Sequence, residues 1–297
     1  MVGGNSESGP RHHWRTVAVP ALVATTLLTA SIALVVWSMS AASTAGQLEH
    51  EEQSAFSHIR IRRDGDIRAL TFVRDGGQEA VQSRIDLTAP HMLMSPYARG
   101  MFASYLYQPH PRRILIVGLG GGAMVRFLTH HEPQVTIDAV EIDPAVVRLA
   151  DKYFGVSTGG NVRVHTADAV TFIENATGYD VILMDAFLRP SDDTDTTGVP
   201  TRLKTRAFLG ELKGALAPGG VVAFNVNEHD TMADDIAAVK AVFGQVVVYR
   251  CPPSDNKVII AGESGLASDE EVRARIGALD VRFGGALSFG DVLANRE

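Results

Sequence analysis

The stretch Arg113-Ile-Leu-Ile-Val-Gly-Leu-Gly-Gly-Gly-Ala123, followed after a helix-like segment by Val140-Glu141-Ile142-Asp143, decides the fold. An apolar, β-branched run ends in a glycine loop. About twenty residues later a second apolar run ends in an acid. An α/β protein holds an adenosine-containing ligand in this way. Glycine has no Cβ, so the backbone can turn sharply and come close to the ligand. The acid at the end of the second strand can accept both ribose hydroxyls. Gly118, Gly120 and Ala123 fit G-x-G-x-x-G/A, and Glu141 stands at the distance that pattern needs.

Beyond this stretch the α/β alternation continues. Strands are expected over 113–117, 135–141, 161–166, 180–185 and 220–226. Helices are expected over about 122–131, 144–153, 168–175, 201–216 and 230–242. Ala217-Pro218-Gly219-Gly220 marks a helix stop and turn. Strands over 245–250 and 256–262 are joined by Pro252-Pro253-Ser254-Asp255, a connection short enough to require an antiparallel hairpin. Five parallel strands closed by such a hairpin give an α/β, Rossmann-like, seven-stranded sheet. That is the plan of S-adenosylmethionine (AdoMet)-dependent transferases. Nicotinamide enzymes more often continue with parallel crossovers.

Before the glycine loop, residues 57–107 read as a small antiparallel β domain plus a helix. Ile59 and Ile61 alternate with polar neighbours, and Asp64-Gly65 and Asp75-Gly76-Gly77 are turn signals. Residues 91–107 read as a helix interrupted by Pro96. Val17 to Trp37 is apolar and uncharged, bracketed by Trp14 and Trp37, and reads as a single-pass transmembrane helix. The alternative is a cleaved signal peptide, with small residues at Ala41, Ala42 and Ala45. The organisation expected is a cytoplasmic N-terminal tail over 1–16, a transmembrane segment over 17–39 and a linker over 40–56. The β domain over 57–107, a transferase domain over 108–264, and a C-terminal helix and tail over 265–297 follow. Arg11 and Arg15 precede the span, and Glu49, Glu51 and Glu52 follow it, which orients the main domain outward. Adenosyl cofactors are made in the cytosol, so the side of the membrane stays open.

Composition narrows the chemistry. The chain has 297 residues, 45% of them hydrophobic, enough for one large core with an appendage. A net charge of −7 without a basic stripe argues against a nucleic-acid partner. The single Cys251 excludes an internal disulfide and a thiolate cluster. His12-His13 and His130-His131 have no partner cluster, so no metal is expected.

In such sheets ligands sit beyond the C-terminal strand ends. Acids stand at three successive ends: Glu141 and Asp143, then Asp168 before Ala169, then Asp185. Each has a second reading as a helix N-cap. For Asp143, which precedes Pro144, cap and ligand stand side by side.

Tyr97 with its following helix, Pro111-Arg112-Arg113 leading into the glycine loop, Val140-Glu-Ile-Asp143, Ala167-Asp-Ala169 and Tyr179-Asp-Val-Ile-Leu-Met-Asp185 resemble the spermidine synthases, the polyamine aminopropyltransferase family. The resemblance runs over about residues 57–250. It implies a transferase of polyamine biosynthesis that moves an aminopropyl group from decarboxylated AdoMet to a small-molecule amine, releasing methylthioadenosine, and that forms a homodimer. It implies that Gly118, Gly120, Gly121 and Gly122 cradle the donor's sulfur side. Glu141 would hold the ribose and Asp168 the adenine amino group, with Asp143 and Ala169 beside them. Gln82 is either the donor-contacting glutamine or an ordinary strand-end residue. Tyr97 would line the amine pocket, and Asp185 would be the base or orienting group. An amine must be neutral to displace a sulfonium, yet is protonated near neutral pH. A carboxylate can position the ammonium and take its proton.

The chain departs from the family on the acceptor side. Gly121 stands where the family has an aspartate. Asp185-Ala186-Phe187-Leu188 lacks the second acid of Asp-Ser/Thr-x-Asp. Tyr97-Ala98-Arg99 has a cation where the family has an acid. A diammonium acceptor needs anionic partners once desolvated, so putrescine is a poor fit. Without the acid at 121, ordinary AdoMet fits as well as its decarboxylated form. The rival readings are an AdoMet-dependent methyltransferase and a non-catalytic nucleoside- or polyamine-binding protein. The acidic loop Ser191 to Gly198 reads as solvated and mobile, or as a lure for a cation.

Overall fold

Two sheets share residues 46–297, which the computed structural model describes together with Met1 and Gly3. The transmembrane segment expected over 17–39 lies outside the described residues. Among the described residues no helix is long and apolar enough to cross a membrane.

The first sheet is a four-stranded antiparallel meander of Gln47–Gln53 (β1), His58–Asp64 (β2), Ile67–Val73 (β3) and Glu79–Asp86 (β4). Ile59, Ile61, Leu70, Phe72 and Ile85 share one face and pack on Ala145, Val146, Leu149 and Phe154 of a helix in the larger domain. Strand β1 corrects the linker expected over 40–56. Its residues alternate poorly, and charge pairs rather than burial attach it. Glu49 binds Arg68, Glu51 binds Arg60 and His58, and Glu52 binds Arg148.

The second sheet comprises Arg113–Val117 (β5), Thr136–Glu141 (β6), Val162–Thr166 (β7), Tyr179–Met184 (β8), Leu216–Val226 (β9), Val246–Cys251 (β10) and Ser254–Gly262 (β11). Its order is β10-β11-β9-β8-β5-β6-β7. Strands β5 to β9 pair in parallel, and β11 runs antiparallel between β9 and β10, as the short 252–255 connection requires. Strand β5 is the point at which the order reverses, with β6 on one side and β8 on the other. The crevice beyond its C-terminal end is therefore the natural ligand position.

Helix starts follow local chemistry. Pro96 occupies the first turn of Pro96–Met101 (α1), so the helix expected over 91–107 begins there and breaks before Ser104–Tyr107 (α2). Ala123–His131 (α3), Pro144–Phe154 (α4) and Ala169–Ile173 (α5) follow the first three parallel strands. The helix expected over 201–216 is instead a 3₁₀ turn at Thr201–Lys204 and Arg206–Gly214 (α6). Thr205 caps α6 by accepting from Phe208 N–H at 3.3 Å. Met232–Phe243 (α7) precedes β10. The C-terminal segment forms Asp269–Arg282 (α8), with a Ser268/Glu271 capping box, and Phe289–Ala294 (α9).

Aromatic packing joins the C-terminal helices to the sheet. Phe127 of α3 is fully buried, 4.6 Å from the Phe102 ring and 5.5 Å from Phe283. Phe127→Ala should therefore cost about 3–5 kcal/mol, read as a lower urea midpoint at unchanged slope. A loss below about 1 kcal/mol would show that this cluster does not hold the C-terminal helices.

Candidate active site

The glycine loop is shaped by what it touches. Gly118 has φ +92°, and a Cβ on it would lie 2.1 Å from the Asp185 carbonyl oxygen. Only glycine lets the ends of β5 and β8 come this close. Gly122, at φ +68°, would strike Val156 in the same way. Glu141 fastens the loop from the end of β6. Its carboxylate accepts the Leu119 N–H at 3.0 Å through one oxygen and the Asp143 N–H at 3.0 Å through the other. Burial pushes its carboxyl above the usual range, and these backbone donors pull it back. Each oxygen keeps lone-pair capacity for a further donor.

Asp185 follows β8 directly. It accepts from Asn225 Nδ2 at 2.8 Å and from the Tyr97 hydroxyl. Desolvation pushes its carboxyl up to about 7, and these two neutral donors restrain the rise. Burial first, and then the neighbouring Asp185 carboxylate, holds the Tyr97 hydroxyl well above its ordinary value. Asn225 is itself held, because its Oδ1 accepts from Asn256 Nδ2 at 2.8 Å, and Asn256 also bonds Asn227. A chain of amides thus runs from the inserted strand β11 to Asp185 and fixes which face of Asn225 it meets. The sequence reading missed Asn225, Asn227 and Asn256. The signal was there: Asn225-Val226-Asn227 closes an apolar strand at the ligand end of the sheet.

Two cavities flank the loop. One is lined by Gln82, Ser83, Ser95, Tyr97, Gly118, Gly120, Gly122, Glu141 and Asp185. The other is lined by Ile142, Ala167, Ala169, Pro200 and Arg202, and it shares Gly118, Glu141 and Phe187 with the first. The structure therefore brings together most of the residues singled out from sequence. Gln82 is the extra residue of a β-bulge, since Leu70 pairs with Ser83 and Thr71 with Val81. Gly121 lies against Ser83 and Phe154, where a Cβ would be 2.8 Å from Ser83 Oγ. Two acids lie differently. Asp143 is 1% exposed and caps α4 through Ala145 N–H at 2.8 Å, while its other oxygen accepts from Ser54. It is outside the lining of both cavities. Asp168 caps α5 through Val170 N–H at 2.9 Å and is ion-paired with Arg202.

Arg99 donates to the Leu93 carbonyl at 2.9 Å and lines a different cleft with Cys251 and Asp291. The cation expected in the amine pocket therefore points away, and Ala98 lines the cavity instead. The 191–198 loop is tied down rather than freely solvated at Asp195. That carboxylate accepts the Thr197 and Val199 N–H groups at 2.8 and 3.0 Å and pairs with Lys204, which also meets Asp235 at 2.6 Å. Asp195, His229 and Asp235 are grouped closely enough to bind a metal ion, but the Lys204 ammonium already stands among them.

The strand order with a reversed penultimate position defines a Rossmann-like fold of the methyltransferase type. The family model "Spermine/spermidine synthase domain" matches residues 101–261, and the chain belongs to that family. It is 33% identical to the polyamine aminopropyltransferase of Vibrio vulnificus over 236 residues, covering 77% of each chain. A probable spermidine synthase from Corynebacterium glutamicum superposes with a TM-score of 0.63 over 80% of this chain and 95% of that one, at 21% identity, a likeness of fold. Human Methyltransferase-like protein 13, in complex with SAH, superposes with a TM-score of 0.58 at 28% identity, over 64% of this chain and 92% of that one.

A buried carboxyl raised from 3.8 to about 7 has a stability signature. Between those values the folded chain holds a proton that the unfolded chain has released, so stability falls as pH rises through this window. Asp185→Asn should therefore be more stable than wild type at pH 8, by at most about 4 kcal/mol. The advantage should vanish below about pH 4. Thermal unfolding across pH reads this directly, and an equal difference at both ends would contradict the shifted carboxyl.

Proposed function

We propose that the chain is a transferase that binds an S-adenosyl donor against the glycine loop and passes an aminopropyl group from decarboxylated AdoMet to an amine. One observation carries this reading. A carboxyl that titrates near neutral pH stands at the end of β8, in contact with the loop expected to hold the donor's sulfur. Such a group can accept an ammonium's proton and release it again near neutral pH. In the transfer, a nitrogen–carbon bond forms and the carbon–sulfur bond breaks with its electron pair left on sulfur. The amine proton passes to Asp185. Glu141 lines both cavities, and each of its oxygens retains lone-pair capacity for a ribose hydroxyl. The kinship with polyamine aminopropyltransferases supports this chemistry at the level of the family.

Methyl transfer from AdoMet is the second reading. Ser83 and Phe154 fill the space that an acidic side chain at Gly121 would need, which removes a charge that would repel the carboxylate of ordinary AdoMet. The similarity to a methyltransferase-like protein favours it too. Product identity separates the two: methylthioadenosine for aminopropyl transfer, S-adenosylhomocysteine for methyl transfer.

Glu141→Ala should weaken donor binding by at least about tenfold in calorimetric titration. Unchanged affinity would remove Glu141 from the donor site. Asp185→Asn should lower kcat by at least about a hundredfold with donor affinity within a few-fold. Parallel loss of both would make Asp185 a pocket-shaping residue only.

A further inference from the structure

Among the residues lining the cavity that holds Asp185, carboxylates come from Glu141 and Asp185 alone. Glu141 is already engaged, with one oxygen on the Leu119 N–H and the other on the Asp143 N–H. Its remaining capacity faces the donor in the reading above. Asp185 is then the single anion left for an acceptor. The other polar groups on the wall, Gln82, Ser83, Ser95 and Tyr97, are uncharged near neutral pH. Much of the rest is apolar surface, including Phe72, Ala98, Met124 and Phe187. Arg99 is turned to the Leu93 carbonyl, so it neither neutralises Asp185 nor repels a cation here.

An ammonium taken out of water needs an anionic partner. This cavity offers one such partner at its reacting end. A second ammonium on the same acceptor would be left against neutral hydroxyls, an amide and hydrocarbon. Resting on the transferase reading, we infer that the acceptor is an amine with one cationic nitrogen and an uncharged, largely apolar remainder. The reacting nitrogen arrives as an ammonium paired with Asp185, gives that carboxylate its proton, and forms the new bond to carbon as the carbon–sulfur bond breaks.

The test compares n-butylamine with putrescine on the full chain, using decarboxylated AdoMet and AdoMet in separate assays. The two acceptors share a four-carbon chain and differ only in the second ammonium. The released methylthioadenosine or S-adenosylhomocysteine is quantified. The expected result is a kcat/KM for n-butylamine at least about tenfold above that for putrescine. Ser95 is the N-cap residue of α1 and makes no side-chain cap bond. Ser95→Asp places a favoured capping residue there and adds a carboxylate to the wall. It should move the preference toward putrescine by about tenfold. Equal or better use of putrescine by the wild-type chain overturns the inference and leaves the transferase reading standing. Donor binding without turnover of either amine, or no donor binding, overturns both.

Discussion

The backbone contact between Gly118 and Asp185 is the constraint from which the site follows. The parallel strands β5 and β8 are neighbours, and the chain leaves both at the same edge of the sheet. Gly118 takes a left-handed turn so close to the Asp185 carbonyl that no side chain fits between them. The glycine loop and Asp185 are thereby held against each other. Glu141 then fastens the next residues of the loop from the neighbouring strand, so three strand ends are joined by backbone groups and one carboxylate.

Charge is distributed unevenly around this unit. Outside the cavity, Glu79 and Asp138 are compensated by cations at close range. Glu79 meets Arg60, Arg62 and Thr71 and is held down to about 2, and Asp138 meets Arg113, His165 and Tyr179. Asp185 has no cation among its bonded partners and relies on an amide and a phenol. Neutral donors stabilise a carboxylate less than a guanidinium does, so burial dominates and the group titrates in the neutral range. That arrangement costs stability and places proton exchange where amine chemistry needs it.

The small β domain and the segment after β8 complete the walls. The meander packs on α4 and brings the Gln82 bulge and Ser83 against the glycine loop. The 185–205 segment returns over the second cavity. Arg202 on its wall pairs with Asp168, and beyond it Lys204 is held between Asp195 and Asp235. The acid expected from the family resemblance to meet an adenine amino group is thus ion-paired with an arginine, and it lies outside the lining of both cavities.

Much of this was legible in the chain. The apolar run into Gly118, the acid at Glu141 and the hairpin after 245 fix a parallel sheet with a reversed strand, because strand period, glycine geometry and loop length are local properties. Residues 47–53 were not legible as a strand, since their attachment depends on arginines in partners distant in sequence. Asp143 and Asp168 look alike in sequence, each at a strand end before a helix. Tertiary packing set Ser54 against one and Arg202 against the other. Arg99 could be counted in the sequence, but which cleft it faces depends on how α1 sits on the sheet. The amide chain through Asn225 and Asn256 exists only because β11 inserts beside β9. The sequence by itself determined the strand order's logic and placed Gly118, Glu141 and Asp185 at strand ends that line the cavities. The tertiary structure decided the surroundings of Asp185 and the number of anions left for an acceptor, because burial and partner geometry arise only when distant segments meet.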